Sequence, residues 1–360
     1  MRNAPLLIMV LLAACGRAVP PPSDKAAASA PQPASAEAGK FRVSGPYVHE
    51  NLAVYLVHSA ERDERDFSTL DEGLKDGSVT VTEKQDEQVN ELQLENSGEK
   101  PLFIQEGDRV KGGKQDRIVG LSFVVPPKSG KMGIPSFCVE QGRWSAGKDG
   151  AVFGNTTSLA LASKDVRYAA KAEKNQGGVW QEVGESKRRA QVALGAANTN
   201  SNLNETMDSD QARKAAAPFD KALAGLLASH PDAVGAAFAL NGKIEEINVY
   251  PGHKLLAKLY PRLLGSYALA AVLEKKAGPV PTAADVAAFM KVSREKSQRT
   301  ENVAGNCVTV RQLEANVQCL TEYQGKAVHV QWMRRSEPSE RPAGNERQQQ
   351  ELQQNESPRR

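Results

Sequence analysis

Through the first part of the chain, apolar and polar positions alternate with a period of two. Phe41 to Val57 carries Tyr47, Val48, Val54, Tyr55, Leu56 and Val57 and predicts one or two strands. Val79 to Thr82 alternates, as does Val89 to Leu94. The apolar segments Pro101 to Ile104, Arg117 to Val125 and Ile134 to Val139 complete a run of about six strands. Thr69 and Glu72 have capping-box spacing ahead of a short helix, which Gly77 ends in the position of a left-handed cap. No long helical pattern interrupts these strands, so the sheet is expected to be antiparallel and built from hairpins.

The period changes after Trp144. Lys148 to Asn155 reads as loop, Ser158 to Glu173 and Val179 to Leu194 as helices, and Asn198 to Asn204 as polar loop. Asp210 to Ala228 is a third helix, which Pro218 should break or restart before His230 and Pro231. Val234 to Leu240, then Asn241-Gly242, then Lys243 to Tyr250 predict a hairpin with a type I′ turn. Leu255 to Lys276 is amphipathic, with a bend or fresh start expected at Pro261, and Thr282 caps a shorter helix running to Met290. Two or three strands lie between Val308 and Gln331. The order of sheet, helices, hairpin, helix and sheet predicts an α+β fold, helices packed on a largely antiparallel sheet. The late strands either rejoin the early sheet in a single domain or form a second subdomain, divided from the first within 145–200.

The two ends follow neither period. Residues 1–15 combine Arg2, a short apolar run from Leu6 to Leu12 and the sequence Leu12-Ala-Ala-Cys15. The run is too short to span a bilayer, and its ending resembles the lipobox of bacterial lipoproteins. The resemblance implies cleavage before Cys15, lipidation of that cysteine and anchoring in the envelope. Gly16 rather than Asp follows, which points to the outer membrane, facing the periplasm. Residues 16–40 are mostly Ala, Pro and Ser and form a tether. At about 3.1 Å per residue it reaches on the order of 70 Å. Residues 335–360, rich in Glu, Gln, Asn and Arg, form a disordered polar tail. The folded part is therefore 41–334. Its surroundings are oxidising, and Cys307 and Cys319 sit in neighbouring strand-like runs where a disulfide is expected to compete with two reduced thiols.

A net charge of +3 without a basic stripe argues against nucleic acid. Five scattered histidines and no Cys/His spacing argue against a metal, and no cofactor is implied. The charge that stands out is local. Glu106 to Arg117 packs Asp108, Arg109, Lys111, Lys114, Gln115 and Asp116 around Gly107, Gly112 and Gly113. Glycine amides and Arg forks suit an anion. It is not a P-loop, because one residue too many precedes Lys114, Gln115 replaces the Ser or Thr, and a strand follows. A second cluster, Cys138, Glu140, Gln141, Arg143 and Trp144, offers a carboxylate, a thiol and a stacking platform. The bland alternative is a solvated hairpin tip for the first cluster, and a buried Cys, core Trp and local ion pair for the second.

Several stretches, in this order, resemble the ARG and rhodanese-phosphatase-superfamily-associated protein domain, where ARG stands for ADP-ribosylglycohydrolase. They are Thr69 to Leu74, Gly77 to Glu83, Val89 to Leu92 with Asn96, Glu106 to Arg117, Pro126-Pro127 and Cys138 to Trp144. Gln176 with Val179-Trp180, Val234 to Ala236, Asn241-Gly242 and Leu263 to Tyr267 complete the match. The resemblance covers nearly all of 43–333. It implies genomic association with ADP-ribose-processing enzymes and hence a phosphate-bearing or ADP-ribose-like ligand, although an envelope location separates this chain from the cytosolic NAD pool. It implies no catalytic residues.

Three functions are open at this point. The first is a lipid-anchored binding protein in which Lys111, Gly112, Gly113, Lys114, Gln115, Arg117, Gln141, Arg143 and Trp144 hold an anionic small molecule. The second is a hydrolase with Glu106, Asp116 or Glu140 as general base. The third is a structural envelope lipoprotein without a ligand.

Overall fold

A computed structural model of the protein describes residues 34–63, 65–84, 90–140, 152–156, 160–195, 202–291 and 293–336. All of them lie in one compact unit that begins at residue 33. Residues 1–33, where the signal segment with Cys15 and most of the tether are expected, residues 337–360, and Val89, Gln141, Arg143, Trp144 and Ser158 fall outside the described residues.

The described chain opens with β1 (Ser35–Ala38), β2 (Phe41–His49) and β3 (Leu52–His58), an antiparallel meander. Every residue of β3 is buried, as expected of a strand covered on both faces. The short β4 (Ser68–Thr69) leads into α1 (Leu70–Asp76), where Thr69 and Glu72 close the capping box and Gly77 takes the left-handed cap at φ 77°. Next come β5 (Val79–Glu83), β6 (Glu91–Asn96), β7 (Leu102–Ile104), β8 (Arg109–Gly112), β9 (Arg117–Val119), β10 (Phe123–Val125), β11 (Lys131–Cys138) and β12 (Val152–Asn155). Six of them close a barrel in the order β11-β6-β5-β12-β8-β9, and β10-β7-β4 form a small sheet beside it whose β4–β7 pair is parallel.

Two sequence expectations shift here. The apolar stretch from Arg117 to Val125 is two strands in different sheets, split at Gly120, where a Cβ would stand 2.8 Å from the Phe137 ring. The segment read as loop up to Asn155 contains β12, whose Phe153 is buried in the barrel core.

The helical part holds α2 (Lys164–Tyr168), continued as a π-helical turn over Ala169–Glu173, then α3 (Gln176–Leu194), α4 (Leu203–Met207) and α5 (Asp210–Leu223), followed by a 3₁₀ segment over Ala224–Ser229. The hairpin β13 (Ala233–Leu240) and β14 (Lys243–Val249) follows, with Asn241 and Gly242 both at positive φ as a type I′ turn requires. α6 (His253–Leu273) and α7 (Ala283–Phe289) precede β15 (Glu295–Val303), β16 (Asn306–Leu313), β17 (Asn316–Tyr323) and β18 (Lys326–Arg334).

Neither Pro218 nor Pro261 breaks its helix. In both helices the buried face continues on either side of the proline: Ala216 and Phe219 in α5, Tyr260 and Arg262 in α6. Tertiary packing outweighs the lost backbone bond.

The architecture is α+β. The late strands join the first three in one nine-stranded antiparallel sheet, β1-β2-β3-β13-β14-β18-β17-β16-β15. One face packs α5 and α6 through Leu56, Phe238, Phe219 and Leu263, and the other packs α7 through Tyr55, Ile247 and Val286. Of the two alternatives left open for Cys307 and Cys319, the structure has the unbridged one. Cys319 pairs with Val310 and Cys307 with Glu322, so the two side chains leave opposite faces of the sheet, one exposed and one buried.

Candidate functional site

The segment densest in charge turns inward. Glu106, Asp108, Arg109, Gln115, Asp116 and Arg117 are all buried, while Lys111 is exposed and Lys114 half-exposed. The solvated-tip alternative is therefore incorrect, and an open anion cradle across the segment is equally excluded for its buried members. The reason is topological. β8 and β9 are barrel strands next to the helical layer, so helices and the large sheet supply partners for their side chains.

Three buried networks result. In the first, Arg167 donates to both oxygens of Glu246 at 2.7 and 2.5 Å and to Glu106 at 2.7 Å. Lys171 pairs with the other Glu106 oxygen and donates to Gln331 Oε1. Gln331 Nε2 donates to Glu106 and Glu246, each at 2.6 Å, and Tyr267 donates to Glu246 at 2.6 Å. Two cations face two carboxylates, so the cluster is neutral. Burial works against the charge on Glu246, yet Arg167 outweighs it and draws the carboxyl down to about 2. The same contest, settled by Lys171 and Arg167, holds Glu106 below the usual range. Beside this cluster His329 stacks on Tyr250 with centroids 4.9 Å apart, and burial lowers its pKa to about 4.

In the second network Arg262 pairs with Asp108 at 2.7 Å and with Asp71. Burial still raises Asp108 to about 6, partly offset by Arg262. In the third, Arg109 donates to the Ala160 carbonyl, to Asn204 and to Asp208 at 2.8–2.9 Å. Asp116 accepts from Asn202, Asn204 and the Gly112 amide, again at 2.8–2.9 Å. Glu140 lies next to it, accepting from the Asp116 amide at 3.4 Å and bridging Asn202. Arg117 donates to the Gln115 carbonyl at 2.8 Å and approaches Glu83 at 3.6 Å.

The two sequence clusters do meet, since Arg117 pairs with Cys138 and the Val139 amide donates to the Asp116 carbonyl. They meet as packed backbone. Burial pushes the Cys138 thiol up to about 11, which removes it as a nucleophile. The glycines serve close approach. A Cβ at Gly112 would stand 2.7 Å from the Val152 carbonyl, and one at Gly113 would stand 2.2 Å from the Phe153 ring. Gln141, Arg143 and Trp144 lie outside the described residues.

Other landmark residues of the resemblance also act as internal staples. Gln176 grips the backbone of Cys138 with both ends of its amide at 2.9 Å. Asn96 donates to the carbonyls of Lys100 and Pro126 at 3.0 Å.

A Ser44–His58–Asp232 string also invites attention. Ser44 Oγ stands 2.7 Å from His58 Nε2, and Asp232 stands 3.0 Å from Nδ1, off the line of a ring hydrogen bond. Its accessibility is inverted for catalysis. The serine is 3% exposed, whereas the aspartate side chain is 45% exposed and also held by Arg42. It ties β2 and β3 to the start of β13.

Among the described residues, a cavity of about 470 Å³ opens between α2, α3, α4, α6 and the β13–β14 turn. That volume suits a small ligand. Six cationic side chains line it, Lys164, Arg189, Lys243, Lys276, Arg334 and Arg335, against three anionic ones, Asp165, Glu245 and Glu274. Leu203, Met207, Leu269 and Leu273 give it an apolar floor. Lys164 pairs with Asp165 at 3.1 Å and Glu245 at 3.0 Å. Burial opposes its charge, but the two carboxylates outweigh burial and hold its pKa above the usual value. Arg189 pairs with Glu274, whose pKa burial nonetheless raises. Tyr267 lines the cavity and reaches Glu246, joining cavity wall to buried cluster.

Sequence reasoning missed this lining because its cations come from five separate places in the chain. It also missed Arg167, Lys171, Glu246 and Gln331. A usable signal was present for Glu246 and Asn248, polar positions alternating with Ile247 and Val249 in a strand whose two faces are both covered.

A family model described as the ARG and Rhodanese-Phosphatase-superfamily-associated Protein domain matches residues 40–333. No curated protein and no solved structure matches the chain.

Proposed function

From the premise that this chain belongs to the ARG and rhodanese-phosphatase-superfamily-associated protein domain family, we propose that it is a lipid-anchored envelope protein whose cavity holds a small anionic ligand of the phosphate or ADP-ribose kind. The observation that carries this reading is the lining of the cavity, where six cations outnumber three carboxylates. Focused positive potential in a concave, partly apolar site favours an anion. The ligand site thus moves from the 106–117 segment, whose buried charges already have protein partners, to a region that sequence reading left unremarked.

Anchoring rests on the lipobox-like ending at Cys15. Among the described residues no helix is long and apolar enough to cross a membrane. Metabolic labelling with an alkyne fatty acid should mark the wild type and not Cys15→Ala. Label retained in Cys15→Ala would refute the anchor.

For the ligand, a thermal-shift screen with ADP-ribose, nucleotides, sugar phosphates and muropeptides should raise the melting temperature with at least one anion. The shift should vanish in Lys243→Ala/Arg335→Ala. No shift with any of these probes would remove the binding reading.

A hydrolase reading is favoured by a different carboxylate from those first considered. Glu106 and Asp116 have their oxygens occupied by protein partners. Glu182 lies one turn before the cavity residue Ser186 on α3 without lining the cavity itself, and burial together with Asp165 raises its pKa to about 7. Hydrolysis of ADP-ribose surviving unchanged in Glu182→Gln would exclude that role.

A further inference from the structure

The neutral buried cluster holds three side chains in an arrangement that ion pairing alone does not require. Lys171, on the π-helical turn, and Gln331, on β18, are 1% and 0% exposed. Lys171 Nζ contacts Gln331 Oε1 and so lies against the side-chain amide. Glu106, itself 1% exposed, bridges the pair: one oxygen contacts Lys171 Nζ, and the other accepts from Gln331 Nε2 at 2.6 Å. An amine nucleophile, an amide electrophile and a carboxylate touching both the attacking and the leaving nitrogen are thus collected away from water. Phe103 stands edge-on to Tyr250 and His329, and the stacked Tyr250–His329 pair closes the neighbouring space.

We infer that Lys171 and Gln331 become joined, after folding, by an intramolecular isopeptide bond whose formation Glu106 promotes. The atoms balance without oxidant or cofactor. Lys171 ammonium passes one proton to Glu106, which leaves the net charge of the cluster unchanged. The free amine attacks Gln331 Cδ, forming the new C–N bond. Glu106 returns its proton to the former amide nitrogen, the old C–N bond breaks, and ammonia leaves. The proton remaining on the Lys171 nitrogen passes to Glu106. The product is a neutral secondary amide beside a protonated Glu106, lighter by one ammonia.

Each element has a physical basis. Burial strips water from the amine and makes it a better nucleophile once neutral. Fixed placement replaces a collision between partners with an intramolecular step. A carboxyl group that touches both nitrogens serves as base and then acid. In the resting cluster Lys171 and Arg167 hold Glu106 ionised, so the initial proton transfer is the slow prelude. Arg167 remains on Glu246 throughout and keeps the second carboxylate neutralised. A π-helical turn is a common departure from regular helix at functional positions, and here it carries Lys171. The bond would span 160 residues of sequence and tie the middle of the chain to its last strand. Closing so long a loop restricts the unfolded chain, an advantage for a protein whose Cys307 and Cys319 form no disulfide.

Peptide mapping of the purified full chain tests this. Trypsin should release a branched peptide combining residues 168–174 and 327–334, lighter than the sum of its parts by about 17 Da, one ammonia. Lys171→Arg keeps the cation but removes the primary amine, so its map should contain only the linear peptides, and Glu106→Gln should lose most of the branched product. Cleavage after Lys171 together with an unmodified linear 327–334 peptide in the wild type would overturn the inference, as would a link from Lys171 to Glu106 with loss of about 18 Da. A branched product formed equally in a folded Glu106→Gln protein would overturn the role given to Glu106. The wild-type map decides even if neither variant folds.

Discussion

The 106–117 segment and the cavity differ in how their charge is arranged along the chain and in space. The first concentrates charge in twelve consecutive residues, and folding turns most of it inward to meet opposite charge. The second draws six cations from α2, α3, the start of β14, the segment after α6 and the end of β18 with the residue that follows it, and folding leaves them around open volume in excess of the carboxylates. Local density of charge in a sequence therefore marked the scaffold here, and dispersed charge lines the cavity. Buried ions need partners close by, whereas a site for an outside anion needs an imbalance that the protein itself does not cancel.

Substitutions should separate the two regions by size of effect. Arg167→Ala would leave Glu106 and Glu246 buried without their shared cation and should cost about 3–5 kcal/mol in urea unfolding, whereas Lys276→Ala in the cavity lining should change stability by less than about 0.5 kcal/mol. Equal effects would erase the distinction.

The pH dependence should be carried by the scaffold as well. His329 has its pKa lowered to about 4 and Glu246 to about 2. In both cases the unfolded chain binds the proton more readily, so each contribution is complete above the unfolded pKa and is lost as pH falls. The His329 contribution should fade from about pH 6.5 to 4 and that of Glu246 from about 4.5 to 2. Asp108, raised to about 6, acts in the opposite direction between its unfolded value and 6. At about 1.4 kcal/mol per unit, the His329 part amounts to on the order of 3 kcal/mol. Chemical denaturation across pH should show that slope in the wild type and a reduced one in His329→Phe. An unchanged slope would mean that the histidine is not buried neutral.

Asp116→Ala should cost about 1–3 kcal/mol, because Asn202, Asn204 and the Gly112 amide each lose an acceptor. Lys111→Ala, at an exposed position on the same segment, should be nearly silent by the same thermal melt. A large loss at Lys111 would place the segment's outer face in the scaffold too.

Much of the fold was legible because local rules decided it. The Thr69–Glu72 capping box, the Gly77 cap, the Thr282 cap and the Asn241-Gly242 turn were readable from a few neighbouring residues. What failed depended on distant partners. A break or restart was expected at Pro218 and a bend or fresh start at Pro261, because the packing that keeps α5 and α6 continuous comes from elsewhere in the chain. The split at Gly120 lies against Phe137, and the register that decides between the two alternatives for Cys307 and Cys319 is not revealed by spacing. Of the candidate site, the sequence showed where charge is concentrated but not that most of it is turned inward, and it did not show the cavity. Glu106 and Asp116 go to separate buried networks, and their partners Arg167, Lys171, Asn202 and Asn204 carry no local mark of that task. The family landmarks Asn96, Gln176 and the 106–117 segment correspond to internal staples, so a family signature can record folding constraints as readily as ligand contacts.

The most direct test of the contrast is isothermal titration with the anion that gives the largest thermal shift, comparing the cavity variant Lys243→Ala/Arg335→Ala with Lys111→Ala/Lys114→Ala on the old candidate segment. The account predicts that the cavity variant loses at least about tenfold in affinity, about 1.4 kcal/mol, while the segment variant binds as the wild type does. Loss of affinity in the segment variant with full binding in the cavity variant would contradict it.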